Sequence, residues 1–255
     1  MRLRLLAGYV LPPAIAICLL LAGWEIWVRL AHTKEYILPA PSAVLARLFS
    51  QLGFFLRAGM VTLYEALAGF ALGASVALLL AVAMAHSRLL ERALFPLALL
   101  VKVTPVVAIA PLLAIWMGFG PIPKILIAAL LSFFPILVNA IVGFRSVNPG
   151  SLDFVRSLAA SPVDIFLRLR LPSSLPYLFA AFRITIPLAV IGAVVGEWFS
   201  SQSGLGYVIL VAHSNLNMPT LFAAVLTLAL LGIALTLLLS ALERRFLFWH
   251  ESNLG

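Results

Sequence analysis

The chain has 255 residues, of which 64% are hydrophobic and only 10% charged, with a net charge of +8 and a mean hydropathy of +1.14. That balance excludes a water-soluble domain, which could not cover so much apolar side chain. The basic excess sits in the connections between apolar runs, which marks it as membrane topology rather than nucleic-acid binding.

A helix needs about 20 mostly apolar residues to cross a hydrocarbon core. Val10 to Val28 is the first such run, broken only by Glu25. Met1 to Leu6 in front of it resembles the basic start of a signal sequence, but the run is too long and lacks a small-residue cleavage site, so an uncleaved first span is expected. Cys18, the single cysteine, lies inside it and has no intrachain disulfide partner. Thr33 to Arg57 follows as a connection in which Pro39 and Pro41 precede a helix opened by Ser42. Val44, Leu45, Leu48 and Phe49 share one side of it, which suits either a membrane surface or packing against the bundle.

Ala66 to Ala85 is the second span. Ala93 to Met117 is the third, interrupted by Lys102, Pro96, Pro105 and Pro111, and is read as one bent or broken helix, two short ones being the alternative. Its prolines serve either as packing kinks or as a hinge. Ile125 to Phe144, Pro176 to Phe199 and Met218 to Leu242 complete the set. The expected fold is therefore all-α, a polytopic transmembrane bundle of about six spans forming one domain over residues 1–255.

Lys and Arg collect in short cytoplasmic loops. With the amino terminus inside, the inner connections hold Arg2, Arg4, Arg88, Arg92, Arg145, Arg156, Arg168, Arg170, Arg244 and Arg245, against Arg29, Lys34, Arg47, Arg57 and Lys124 outside. Both termini are accordingly expected in the cytoplasm of a plasma (inner) membrane protein.

The inner connection Ser146 to Ser174 is too long for a simple turn. Pro149 and Gly150 make a bend, Ser151 is placed to cap a helix with Asp153 in its first turn, and Pro162 opens a second helical turn after Ser161. Leu152, Val155 and Leu158 or Ala159 fall on one face, with Asp153 and Arg156 beside them, a ridge suited to a partner's groove.

This loop resembles the coupling loop of binding-protein-dependent ABC importer permeases, whose pattern is E-A-A, three residues, G, nine residues, I, one residue, L-P. Asp153 stands for the Glu, Phe154 and Val155 for the two Ala, Ala159 for the Gly, Leu169 for the Ile, and Leu171 and Pro172 for the final pair. Likeness to the sulfonate, nitrate, taurine and thiamine-precursor branch extends over most of the chain. It runs through YILPAPSAVLARL (36–48), EALAGFALG (65–73), TPVVAIAPLLAIWMGFG (104–120) and IGAVVGEWFSSQSGLGYVI (191–209). The resemblance implies a type I importer permease fold and a loop, centred on Asp153, Arg156, Ser157, Ala159, Ser161, Leu171 and Pro172, that docks in a cytoplasmic ATPase dimer.

A P-loop needs a Gly-Lys pair to cradle phosphates. Lys34, Lys102 and Lys124 follow Thr33, Val101 and Pro123. ATP and Mg are therefore expected on a separate ATPase subunit, with no cofactor and no catalytic residue on this chain. The resemblance further implies a second permease copy or homologue and an extracytoplasmic solute-binding protein.

Polar groups at membrane depth are costly and usually face a cavity or one another. Glu65, Lys102, Asn139 and Glu197 are the candidates for a translocation path. Glu65 is either a cavity-lining acid or half of an interfacial ion pair. Lys102 reads as snorkelling toward the boundary, Arg183 likewise. Glu197 precedes the bend Ser203-Gly204-Leu205-Gly206 and is weighed as bend support against ligand contact. Many sulfonate-type members carry a base where Glu65 stands, so an acid argues against an anionic solute. The favoured solute is a thiamine-pyrimidine precursor or a flavin, with sulfonate, taurine or nitrate next. Rival classes are a stand-alone secondary transporter or channel, which would leave the patterned loop without a job, and an intramembrane serine protease built on Ser203 and His213. The second fails because Ser201 occupies the first position of its Gly-x-Ser-Gly pattern.

Overall fold

The computed structural model describes residues 2–247, with side chains from Leu11 onward. The described residues are helical with no strand. In chain order the helices are α1 (Arg2–Leu30), α2 (Pro41–Ser50), α3 (Leu52–His86), α4 (Arg88–Val103), α5 (Val106–Met117), α6 (Pro121–Arg145), α7 (Pro149–Ser157) and α8 (Pro162–Ile165). A π-helical turn (Phe166–Arg170), α9 (Leu171–Ser200), α10 (Leu205–Ser214) and α11 (Met218–Phe246) follow. Proline stands in the first turn of α2, α6, α7, α8 and α11, where its missing N–H costs nothing and its fixed φ favours the helix. Among the described residues, five helices are long and apolar enough to span a membrane. The α4–α5 pair, bent by 92° at its break, makes a sixth if it counts as one span.

The centre is a close triple packing of α3, α6 and α9. Gly69 of α3 lies against Ala128 of α6, and Gly192 of α9 meets Ala128 from the other side. A Cβ at Gly192 would fall 2.7 Å from the Ala128 Cα. Small residues let helix backbones approach this closely where lipid supplies no hydrophobic drive between helices. Toward the loop end, Ala77, Ala81, Met84, Ile136, Ala140 and Phe144 fill the space between α3 and α6.

Several boundaries differ from the sequence expectation. The fifth span does not begin at Pro176, because a single 39-residue helix runs from Pro162 to Ser200. At 1.5 Å per residue it is about 58 Å long, roughly twice the hydrocarbon thickness. The segment Ser146 to Ser174 therefore ends inside a helix continuous with the span. The second long helix likewise starts at Leu52 rather than Ala66, within the stretch assigned to the connection.

Two caps also move. Ser42 does not open α2, whose N-cap is Ala40. Its hydroxyl donates to Glu25 Oε1 at 2.8 Å and its backbone N–H to Glu25 Oε2 at 3.0 Å, tying α2 to α1. Ser151 does not cap α7, because Asn148 does so by accepting from the Gly150 N–H at 2.8 Å. The helical turn expected at Pro162 is present as α8, and Ser161 caps it by accepting from the Asp164 N–H at 3.1 Å.

Candidate functional site

Opposite the loop end, three helix segments bring buried charge together. Glu65 sits on α3, Lys124 in the first turns of α6, and Glu197 near the end of α9. Lys124 Nζ lies 2.5 Å from Glu65 Oε1, with the two side chains 5% and 2% exposed. Lys124 thus does not belong to an outer connection, where its charge had placed it. The same ammonium donates to Ser201 Oγ at 3.1 Å.

Glu197 has no exposed surface. Its Oε1 accepts from Thr62 Oγ1 at 2.7 Å and its Oε2 from the Gly206 N–H at 2.5 Å, while Thr62 Oγ1 itself accepts from the Leu205 N–H at 2.9 Å. Gly204, at φ +97°, and Gly206 leave no room for a Cβ beside that carboxylate. Glu197 is thereby the anchor of the turn into α10, and a backbone that must close on a carboxylate in this way requires glycine. The Glu197 and Glu65 carboxyl groups are neighbours. Glu65 Oε2 is buried without a hydrogen-bond donor.

Above Glu65 and Lys124 opens a cavity of about 560 Å³. Tyr64 and Phe119, 61% and 79% exposed, stand on its wall, and Ser201, Gln202 and Ser203 supply polar groups. Glu65 is at once a member of a buried ion pair and part of the cavity lining. Lys102 and Asn139 are not brought to this cavity. Lys102 Nζ lies 4.9 Å from the Phe134 ring centroid, a cation–π position, and the Asn139 amide donates back to Pro135 O at 2.8 Å within its own helix. Arg183 donates from Nε to Glu243 Oε2 at 2.8 Å.

Thr62, Tyr64 and Phe119 went unnoticed in the sequence. The available signal for Lys124 was a lone base at the head of an otherwise uncharged span.

At the other end, α7 presents Phe154 and Leu158, 65% and 66% exposed, with Val163 of α8 at 65%. Of the expected ridge of Leu152, Val155 and Leu158 or Ala159, Leu158 and Ala159 are exposed while Leu152 and Val155 are half-buried, and Phe154, outside that ridge, joins the open apolar face. Asp153, Arg156, Ser157, Ala159 and Ser161 are exposed, while Leu171 and Pro172 are half-buried at the start of α9. Asp153 pairs with Arg156 at 3.6 Å. Ala159 takes the left-handed conformation, φ +55°, just past the α7 C-cap. That geometry favours glycine, which accounts for the glycine of the pattern it replaces. The loop is fastened to the bundle by Arg145, which donates to both Glu91 carboxylate oxygens and to Met84 O, and by Phe166, whose ring lies 5.3 Å from Phe144 and 5.7 Å from His86.

An apolar helical bundle thus carries a loop with exposed apolar side chains at one end and a polar cavity at the other. Residues 69–248 match the binding-protein-dependent transport system inner membrane component family, and the chain belongs to it, as an ABC importer permease subunit. It is 37% identical over 240 residues to the riboflavin transport system permease protein of Chloroflexus aurantiacus, covering 93% of this chain and 90% of that one. To the formylaminopyrimidine transport permease protein of Halalkalibacterium halodurans it is 35% identical over 245 residues, covering 95% and 97%. A solved amino acid ABC transporter chain superposes with a TM-score of 0.61 at 17% identity, over 79% of this chain and 96% of that one. The fold is the type I permease fold.

Proposed function

We propose that the chain carries a small organic solute inward through the membrane, driven by a cytoplasmic ATPase dimer that docks on residues 146–174. The carrying observation is the exposed apolar pair Phe154 and Leu158 on a short helix fastened to the bundle, since exposed apolar side chains on a soluble-facing loop mark a partner surface. ATP and Mg belong to that partner, a second permease copy or homologue completes the path, and an extracytoplasmic binding protein delivers the solute. Both termini lie in the cytoplasm, the orientation favoured by the arginine distribution.

In this reading ATP binding closes the ATPases, draws the segments Asp153 to Ser161 of paired permeases together, and turns the bundles outward. Hydrolysis resets them. The 39-residue helix from Pro162 to Ser200 gives the loop a direct lever into the span core. The solute is a thiamine-pyrimidine precursor or a flavin, in line with the names of the two relatives, with sulfonate, taurine or nitrate next. The neighbouring acids Glu65 and Glu197 favour that order, because only one base, Lys124, balances them.

The test is co-elution of the detergent-solubilised chain with the ATPase encoded beside its gene. Leu158→Glu and Ala159→Arg should abolish co-elution while the variants still insert and elute as single species. An ATPase that never binds would point to a stand-alone transporter.

A further inference from the structure

We propose that the cavity above Glu65 and Lys124 is a solute-recognition site, and that Glu65 selects a flat nitrogen heterocycle bearing N–H donors while rejecting anions. The proposal rests on the importer reading and specifies where and how that importer discriminates.

The first observation is the acid in the floor. Glu65 lines the cavity, its Oε1 is committed to Lys124, and its carboxyl group also adjoins that of Glu197. Two carboxyl groups against one ammonium make the floor acidic, and buried polar groups favour a partner that brings donors. An N–H edge suits such a floor, whereas a sulfonate or nitrate brings only acceptors.

Charge gives the same answer. Glu65 and Lys124 are the charged residues lining the cavity, and Lys124 already engages Glu65 and Ser201. Glu197 stands behind as a second acid, so no uncommitted cation on the wall awaits an anion.

Shape supplies the third argument. About 560 Å³ lies within the usual range for a small-molecule site. The two exposed aromatic rings, Tyr64 and Phe119, offer π faces to a flat ring. The Gln202 amide and the Ser201 and Ser203 hydroxyls can satisfy its remaining polar edge. A compact tetrahedral or trigonal ion makes little use of such a wall.

The experiment is calorimetric titration of the full chain in lipid nanodiscs, with and without its ATPase, using 4-aminopyrimidine, riboflavin and methanesulfonate as probes. At least one heterocycle should bind and methanesulfonate, an anion with acceptors alone, should not. The paired wall variant Tyr64→Ala with Phe119→Ala, at exposed positions, should weaken heterocycle binding about tenfold. Glu65→Gln combined with Lys124→Met removes the acid without stranding its partner, and should weaken heterocycle binding. Equal binding of methanesulfonate by the unaltered chain, heterocycle binding indifferent to both variants, or no heterocycle binding would each overturn the proposal. Failure of the ATPase to co-elute would sink the importer reading instead, and is read separately on the same preparations.

Discussion

Lys124 Nζ meets Glu65 Oε1 at 2.5 Å across the α3–α6 contact, with both side chains nearly inaccessible. Removing one partner of a buried pair leaves the other charge desolvated and costs about 3–5 kcal/mol, whereas replacing both with uncharged groups is often close to neutral. Lys124→Met alone should therefore lower the unfolding midpoint in detergent sharply, and Lys124→Met with Glu65→Gln should recover most of it. A single variant as stable as the double would show that the pair is not buried in the folded protein.

Thr62 serves two strangers in sequence at once, donating to Glu197 and accepting from the Leu205 N–H. Thr62→Val keeps the shape and strands both groups, a loss of about 1–3 kcal/mol for each buried group left unsatisfied. Thr62→Ser should restore most of the stability, as read by the fraction folded after graded heating. Equal loss in the two variants would assign the effect to packing of the methyl group.

Ala159 holds φ +55°, a conformation that costs an L-residue roughly 1–2 kcal/mol and glycine almost nothing. Ala159→Gly should slow limited proteolysis at the α7–α8 junction and leave ATPase co-elution intact. Ala159→Val should accelerate cleavage, and identical cleavage rates would refute the strained turn.

Gly192 touches the Ala128 backbone, so Gly192→Leu must force α9 away from α6. Because helix cores cannot absorb such bulk without separation, the variant should fail to give a monodisperse peak on size exclusion. Gly232, with open space around it, provides the control, and Gly232→Ala should behave like the unaltered chain.

The spans were legible because apolar length is a local property, and the α4–α5 break was legible because Pro105 removes a donor where it stands. The buried cluster was only partly legible. Glu65 and Glu197 were conspicuous as acids in apolar runs, but Lys124 follows Gly118, Gly120 and two prolines and read as a loop. Its role depends on a partner from another helix, which no local pattern encodes. Ser42 and Ser151 failed as caps for a related reason. Ser42 is consumed by Glu25 across a helix contact, and Asn148 reaches the α7 amides first. The α7 ridge was legible only in part, because periodicity identifies apolar faces without saying which one the bundle covers. Phe154 and Leu158 keep helical spacing just as Leu152 and Val155 do, so Leu158 belongs to either face and Phe154 was missed.

The π-helical turn Phe166–Arg170 lies between α8 and α9 with no interruption of the helix. A π turn holds one more residue than an α turn, and each residue advances an α-helix by roughly 100°. The loop and the span after it are thus out of angular phase by about one residue. A helical wheel drawn from Pro162 onward assigns the wrong azimuth to every side chain after Arg170. Deleting one residue within Phe166–Arg170 would restore a uniform α-helix and leave both flanks facing as they do, whereas winding the turn as α-helix with every residue kept would rotate α9 against α8 by about 100°.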